Sequence, residues 1–348
     1  MTLQFGVELE LLLGGRKKSF ASWKSLADDV SKRLSKAGIR NHVSYGGGKS
    51  KTAETYHEWS IVQEVTIPTQ SAGDNMLYGI ELVSPVYPAA WSWAADIAAI
   101  YGVVQSSYVV VPSVHCSTHV HISTASGPLS GMGAVLLGEA VLYYEQALDA
   151  LMPPGRRDST TYWCRSNRES HMFKVYEEVE GALVLAQDNY PKNKMVSLST
   201  CLGVVRYGYD TSAFAMPEAV NLLPADCPYG RAHGKKRSFV HGKVFKWNFS
   251  GLPYEGSPAS NLGTVEFRQP PGSVVADEAC AWVTLALSFV AGVLAGDGGM
   301  AGVSVQRGGA SLEELWQVLQ TGSLELGWEG GLGAVDDLFR GSSSGSDN

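Results

Sequence analysis

The sequence places charged side chains at alternate positions of short apolar segments, which is the pattern of a β-strand with one apolar and one polar face. In residues 3–12, Glu8 and Glu10 alternate with apolar neighbours. Successive side chains of a strand point to opposite faces, so both carboxylates lie on the same face. Two adjacent carboxylates repel each other and take up protons unless water or a cation screens them. The segment therefore predicts either a solvent-facing strand or a cation site.

Further segments of this kind follow along the chain: Glu81 in 78–84, His119 and His121 in 115–124, and Glu266 and Arg268 in 264–269. Each segment also has an ordinary interpretation of its own. Glu81 could be an exposed glutamate, the two histidines a hydrogen-bonded pair, and Glu266 with Arg268 an ion pair along one strand. Together they place four carboxylates, two histidines and one arginine on predicted strands. The combination indicates one shared site.

The donor types of this set favour a hard divalent cation. Mg²⁺ and Mn²⁺ prefer oxygen ligands and often bridge substrate phosphates, whereas zinc sites are richer in histidine and cysteine. The predicted metal ligands are Glu8, Glu10, Glu81, His119 and Glu266. Arginines nearby would neutralise a phosphoryl group during its transfer, and the candidates are Arg268, Arg156 and Arg157.

The order of predicted elements indicates the fold class. Helices are predicted at 20–37, 90–104, 131–152 and 168–187, and further strands at 58–67, 195–209 and 238–249. Strands and helices do not alternate as βαβ units, and no phosphate-binding loop of the GxxxxGK[ST] type occurs. We predict an α+β protein with a mostly antiparallel sheet and helices on one face. One domain is expected over 1–340, followed by a disordered tail at 341–348.

Composition excludes several classes. The 348 residues carry a formal net charge of −7, which argues against nucleic acid as a partner. The five cysteines form no CxxC pair, so a disulfide framework or zinc knuckle is not expected. The apolar segment 279–296 is bounded by acidic residues and predicts a buried core helix rather than a membrane span. The first residues lack a cationic segment, and a cytoplasmic location is expected.

In this order, the motifs resemble those of the putative amidoligase family, a branch of the glutamine synthetase-like carboxylate–amine ligases. The matching segments are FGVELE at 5–10, GIELVSP at 79–85, STHVHIS at 117–123 and TVEFRQPPG at 264–272, with RRDSTTYWC at 156–164 and KWNFSG at 246–251 as lesser matches. The resemblance covers roughly residues 3–290. It implies a glutamine synthetase-like sheet whose concave face binds ATP and two or more divalent cations.

The resemblance also assigns roles. Glu8, Glu10, Glu81 and Glu266 resemble the metal-binding glutamates, and either His119 or His121 resembles a histidine that contacts metal or phosphate. Arg268 resembles the arginine facing the γ-phosphate, and Asn248 a polar position near the substrate. The expected ATP-binding residues are therefore Arg268, Asn248, Arg156, Arg157 and His121. Glu64 stands where the family often has an Asp followed by Gly-Ser, which predicts an unusual amine acceptor.

The predicted reaction is ATP-dependent amide formation between a small-molecule or peptide carboxylate and an amine, through an acyl phosphate. Glu64 would position the amine and take its proton, while Arg268 and Arg157 would act on the phosphoryl group. Arg206, Arg231, Lys235, Lys236 and Arg237 are candidates for phosphates or an acidic substrate, or simply form a solvated basic surface. The alternatives are a metal-dependent amide hydrolase using His119 and His121, a non-catalytic binding protein, and a mechanism with Cys116 as nucleophile.

Overall fold

A computed structural model describes residues 2–45, 56–90, 92–129, 131–157, 164–179, 182–185, 196–224, 227, 239–241, 243–254, 263–296, 308–328 and 331–343. The strands are β1 Leu3–Gly15, β2 Asn41–Val43, β3 Trp59–Gln63, β4 Gln70–Ala72, β5 Asn75–Val83, β6 Tyr87–Pro88, β7 Tyr108–Val111, β8 Thr118–Thr124, β9 Tyr176–Val179, β10 Ala182–Leu185, β11 Leu222–Pro224, β12 Phe239–His241, β13 Trp247–Asn248 and β14 Val265–Phe267.

The helices are α1 Trp23–Lys36, α2 Trp93–Ser107, α3 Met132–Tyr143, α4 Glu145–Ala150, α5 Pro154–Arg157, α6 Met172–Val175, α7 Leu198–Thr211, α8 Met216–Asn221, α9 Ala276–Ala295, α10 Leu312–Glu325 and α11 Gly333–Ser343. Helix α11 includes the first residues of the segment that we predicted as a disordered tail. Residues 344–348 lie outside the described residues.

The largest sheet among the described residues is open and runs in the order β13-β14-β8-β1-β5-β3-β2, with β4 paired to β5 and β6 and β7 paired to β1. Its strand pairs are antiparallel except for β2 with β3. The fold is therefore mixed α and β with a largely antiparallel sheet, as the sequence predicted. The long strand β1 lies at the centre and pairs with β5 on one side and β8 on the other.

The two faces of β1 differ as its alternation requires. Phe5 and Leu9 are 1% exposed and belong to the hydrophobic core. The ring of Phe5 meets Trp93 of α2 edge to face, with the ring centres 5.4 Å apart. Helices α1, α2 and α9 pack against this side of the sheet. Glu8 and Glu10 alternate with these residues and therefore lie on the other face.

Helix α9 is the described helix that is long and apolar enough to cross a membrane by length and composition, but 78% of its most apolar window is buried inside the protein. It packs against α10 at Gly322, where an added Cβ would lie 1.8 Å from the carbonyl oxygen of Ser288. Only glycine allows the two backbones to approach so closely. The segment is a core helix, as predicted.

Two predictions for the middle of the chain were wrong. The strand predicted at 195–209 is helix α7, because Leu198, Cys201, Val204, Val205 and Gly208 are buried at helical spacing. Its N-cap, Ser197, accepts a hydrogen bond from the Thr200 amide. The β-branched residues of the segment favoured a strand, and tertiary packing overrode that propensity.

The prediction of a helix at 168–187 is also wrong. The described part holds a short 3₁₀ turn, the single-turn helix α6, and the strands β9 and β10. These strands pair antiparallel, with Val179 opposite Ala182. A segment whose glutamates suggested a solvated helical face therefore contains two strands that form backbone hydrogen bonds with each other.

Candidate active site

The pairing of five strands brings the predicted site residues into one row on the face of the sheet opposite α1, α2 and α9. The residues that face each other across neighbouring strands are Glu10 and Glu81, Glu8 and His119, His121 and Glu266, and Glu266 and Asn248. Directly opposed residues of paired strands point to the same face. The sheet thus assembles charges that are up to about 258 residues apart in the sequence.

These side chains line a cavity of about 460 Å³. Its walls include Glu8, Glu10, Glu81, His119, Glu266 and Arg268, and further groups come from Glu64, Thr66, His115, Ser117, Arg156 and Lys243. Most of the predicted metal ligands are nearly buried, with exposures of 8% or less for Glu10, Glu81, His119 and Glu266. Charged groups this far from water must be paired with each other or with a ligand.

Glu8, His119 and Glu266 line one end of the cavity, and His121 lies beside Glu8 and Glu266; these four residues are here called the histidine end. His119 Nδ1 lies 3.2 Å from Glu8 Oε2. His121 Nε2 lies 3.3 Å from Glu8 Oε1 and 3.5 Å from Glu266 Oε1, yet this buried nitrogen makes no hydrogen bond of acceptable geometry. Its other ring nitrogen lies 3.3 Å from Thr264 Oγ1. A lone imidazole nitrogen facing two carboxylates is an arrangement that fits a bound cation.

The carboxylates at the histidine end are held in their charged form by the protein. Glu266 accepts hydrogen bonds from the Arg268 guanidinium and, at 2.8 Å, from Asn248 Nδ2. Burial alone would raise the pKa of Glu266, but Arg268 and His121 lower it well below its ordinary range. The pKa of Glu8 is likewise lowered against burial, by the charge of His121 and by the hydrogen bond with His119. Burial opposes a charged His121, yet Glu266 and Glu8 raise its pKa.

The other end, here called the carboxylate end, consists of Glu10, Glu64 and Glu81. One oxygen of each lies within 4.8 Å of one oxygen of the others. Glu10 Oε2 accepts a hydrogen bond of 2.7 Å from the Ser117 amide, and Glu64 Oε1 accepts one of 2.7 Å from the Thr66 amide. The pKa of Glu10 is raised by burial and by the Glu64 carboxylate, against the opposing charge of His119. At this end the surroundings therefore favour the protonated form of Glu10, or the presence of a cation beside it.

The described residues form three overlapping groups that fit a metal ion, with donor atoms within 4.8 Å of one another: Glu8, Glu81 and His119; Glu8, His121 and Glu266; and Glu10, Glu64 and Glu81. Each group is rich in carboxylate oxygen and has at most one histidine. This donor set suits Mg²⁺ or Mn²⁺ better than zinc. The residues present therefore fit a hard divalent cation.

Arg156 lines the cavity and is 7% exposed. Its guanidinium donates to Ser117 Oγ at 2.9 Å, to the Val114 carbonyl at 3.3 Å and to the Cys116 carbonyl. Among the described residues, no carboxylate lies within ion-pair distance of it. A buried cation with only neutral partners would be stabilised by an anionic ligand in the cavity.

Other predicted basic residues lie elsewhere. The Arg157 guanidinium donates to the main-chain carbonyls of Met152 and Ala150, and Arg157 is not among the residues that line the cavity. Arg206 pairs with Glu139, with contacts of 2.7 and 3.0 Å. Outside the described residues lie Arg231, Lys235, Lys236 and Arg237.

Ser117 and Lys243 line the cavity although the sequence analysis did not single them out. Ser117 continues the alternation of His119 and His121 by one further step, so the period of the strand is a signal that could have identified it. Lys243 stands four residues before the short strand β13 and has no periodic partner. No pattern in the sequence marked it.

A family model described as putative amidoligase enzyme matches residues 1–183, which is more than half of the chain. The chain therefore belongs to this family. The matched region contributes β1, β5 and β8, and Asn248, Glu266 and Arg268 come from beyond it. No curated protein matches the chain.

Proposed function

We propose that this protein is an ATP- and Mg²⁺-dependent carboxylate–amine ligase that forms an amide bond through an acyl phosphate. The observation that carries the proposal is the row of carboxylates and histidines across β5, β1, β8 and β14, with Arg268 beside it, in a member of an amidoligase family. A glutamine synthetase-like arrangement of the sheet is part of the proposal. The expected setting is the cytoplasm, where ATP and Mg²⁺ are available.

The proposed metal ligands are Glu8, Glu10, Glu81, His119 and Glu266. When bound to these residues, Mg²⁺ or Mn²⁺ would neutralise the negative charge of the phosphate groups. Two of the three ligand groups share Glu8, and two share Glu81, so neighbouring cations would share ligands. This sharing supports more than one cation in the cavity.

Positive side chains near the metal ligands would bind the phosphates of ATP. Arg268 is partly buried beside Glu266, and Lys243 and Arg156 line the same cavity. His121 and Asn248 extend this set, because both border Glu266. As a carboxylate oxygen of the substrate attacks the γ-phosphorus and ADP leaves, these groups would stabilise the charge on the transferring phosphoryl group.

Glu64 is the proposed acceptor residue for the amine. It lies at the carboxylate end, and hydrogen bonds from the Thr66 amide and hydroxyl hold one of its oxygens. The amine nitrogen would attack the acyl carbon, the bond to phosphate would break, and Glu64 would take the proton that the amine loses. We place Arg157, whose guanidinium binds main-chain carbonyls, outside this core mechanism.

The test is ATP turnover with Mg²⁺ against a panel of carboxylic acids and amines, with ADP, phosphate and product mass measured together. Substrate-dependent ADP release, with a product that is one water lighter than the two substrates combined, supports the ligase. Amide cleavage that proceeds without ATP would instead establish the metal-dependent hydrolase. Failure to bind ATP in the presence of Mg²⁺ would contradict both the ligase and its proposed phosphate-binding residues.

A further inference from the structure

A buried polar cluster lies outside the cavity, between α4 and the segments that carry Asn248 and Arg268. Lys246 Nζ contacts both carboxylate oxygens of Asp149 at 2.7 Å. Gln269 Nε2 donates to the same carboxylate at 2.5 Å. Lys246 and Gln269 are each 1% exposed. Nothing in the proposed reaction uses these groups, although burying an ion pair is costly unless its geometry is well satisfied.

The cluster holds the main chain of the short helix α5. Gln269 Nε2 also donates to the carbonyl oxygen of Arg156 at 3.0 Å, and Lys246 Nζ lies 3.3 Å from the carbonyl oxygen of Arg157. Both carbonyls belong to the last residues of the helix, where no intrahelical donor remains for them. Asp149 thus fixes the two side chains that cap α5.

Helix α5 in turn binds residues 114–117, the segment that precedes and leads into β8. The guanidinium of Arg156 binds the carbonyls of Val114 and Cys116 and the hydroxyl of Ser117. The Ser117 amide then donates to Glu10 Oε2 at 2.7 Å, and the Glu10 amide donates to the Ser117 carbonyl at 3.1 Å. A series of hydrogen bonds, linked through the residues Gln269, Arg156 and Ser117, therefore runs from Asp149 to the Glu10 carboxylate in the cavity.

We infer that Asp149, Lys246 and Gln269 are positioning residues, which fix Arg156 and, through Ser117, the orientation of the Glu10 carboxylate. With Oε2 held by Ser117, the other oxygen of Glu10 faces His119 Nδ1, 3.8 Å away, and is directed into the cavity. The value of this orientation rests on the proposed function, in which Glu10 binds a cation. The hydrogen-bonded series itself does not depend on that function.

The first measurement uses the metal-free protein and the variant Gln269→Met. Methionine has a similar volume but no donor, so the variant separates Asp149 from the Arg156 carbonyl while the ion pair with Lys246 remains. Gln105→Met is the matched control, because Gln105 Nε2 donates to the Val274 carbonyl at 2.9 Å, outside the cavity. We expect hydrogen exchange at the Ser117 amide to be about five- to tenfold faster in Gln269→Met, the factor for one buried hydrogen bond, and unchanged in Gln105→Met. Equal exchange at Ser117 in both variants would overturn the inference.

The second measurement is the binding of Mn²⁺ alone, followed by electron paramagnetic resonance. Groups that orient metal ligands typically contribute 10–100-fold to affinity, and Gln269 acts through two further residues, so we expect about a three- to tenfold weaker Kd. Wild-type affinity in Gln269→Met would show that the series does not orient Glu10. A wild-type protein that binds no Mn²⁺ would contradict the proposed function, while the exchange result would still decide the positioning role.

A third variant, Lys246→Met, tests whether the cluster contributes only to the stability of the fold. It leaves Asp149 buried without its main counter-charge and is expected to destabilise the whole chain, with faster exchange at many amides. Gln269→Met should instead change exchange mainly in residues 113–118, with a smaller loss of melting temperature than Lys246→Met. A uniform increase in both variants would assign the cluster to stability alone and overturn the inference.

Discussion

The two ends of the cavity contain similar carboxylates in opposite electrostatic surroundings. At the histidine end, Arg268 and two histidines lower the pKa of Glu266 and Glu8 despite burial. At the carboxylate end, burial and the neighbouring Glu64 raise the pKa of Glu10. The protein therefore favours the charged form of Glu266 and Glu8 at the histidine end, whereas at the carboxylate end it favours Glu10 with a proton or another cation bound. The comparison indicates where a ligand cation contributes most.

The largest expected effect is a loss of catalytic activity, and it should be similar for a carboxylate from either end of the cavity. Glu10→Gln and Glu266→Gln each remove a proposed metal ligand and should lower kcat/KM for Mg²⁺- and ATP-dependent turnover on the order of 10²–10³-fold. Glu169→Gln is the matched control, because Glu169 pairs with Arg165 at 3.0 Å outside the cavity and should retain activity within about twofold. Wild-type turnover in either site variant would refute the site assignment.

Stability of the metal-free protein should separate the two ends. Glu266→Gln leaves Arg268 and His121 buried without their shared carboxylate, and we expect a loss of about 3 kcal/mol in the free energy of unfolding. Glu10→Gln removes a carboxylate that burial disfavours and should leave stability equal or slightly higher. Urea unfolding in the presence of a chelator measures both. A comparable loss in both variants would mean that the ends are not electrostatically different.

The pH dependence of metal-free stability sharpens the same comparison. Folded Glu10 binds its proton more tightly than the unfolded chain, so stability falls as pH rises above the ordinary value of 4.5. His121 acts in the same direction above 6.5. Glu8 and Glu266 do the reverse, since their contribution is complete above 4.5 and is lost as pH falls through their lowered pKa. Urea midpoints between pH 5 and 8 should decline less steeply in Glu10→Gln, and parallel profiles would contradict this account.

The smallest effect concerns a compensated carboxylate outside the cavity. Asp29 accepts hydrogen bonds from Lys18, Arg33 and Tyr108. Burial opposes its charge, but these partners lower its pKa to about 2. Because Asp29 is partly exposed, solvent screening limits its contribution, and Asp29→Asn should cost about 1 kcal/mol. The loss should disappear as pH falls from 4 toward 2, and a loss that is constant down to pH 2 would show that charge is not the cause.

Much of the site was predictable from the period of the strands. Alternation alone placed Glu8 with Glu10, and His119 with His121, on one face each. The register that sets Glu10 opposite Glu81 was not predictable, because it depends on which strands pair and on their offset relative to each other. Nor were the different surroundings of the two ends predictable, since those arise from Arg268 and Glu64 in segments distant along the chain.

The fold was less predictable where packing, rather than pattern, decides the structure. Residues 195–209 are rich in β-branched and aromatic side chains, yet they form helix α7 because their buried positions recur at helical spacing. The positioning role of Lys246 was also invisible, since a lone lysine beside a strand is usually exposed. Only the fold places Asp149 beside it.

The pairing of β14 with β8 has a consequence for synthesis of the chain. About 145 residues separate His121 from Glu266, its partner across the sheet. At ribosomal speeds of about 5–20 residues per second, β14 is synthesised roughly 7 to 30 s after β8. During that interval the outer edge of β8 is unpaired, and an unpaired edge can pair with another chain. A nascent chain that stalls before residue 264 thus presents both an incomplete metal site and a template for aggregation.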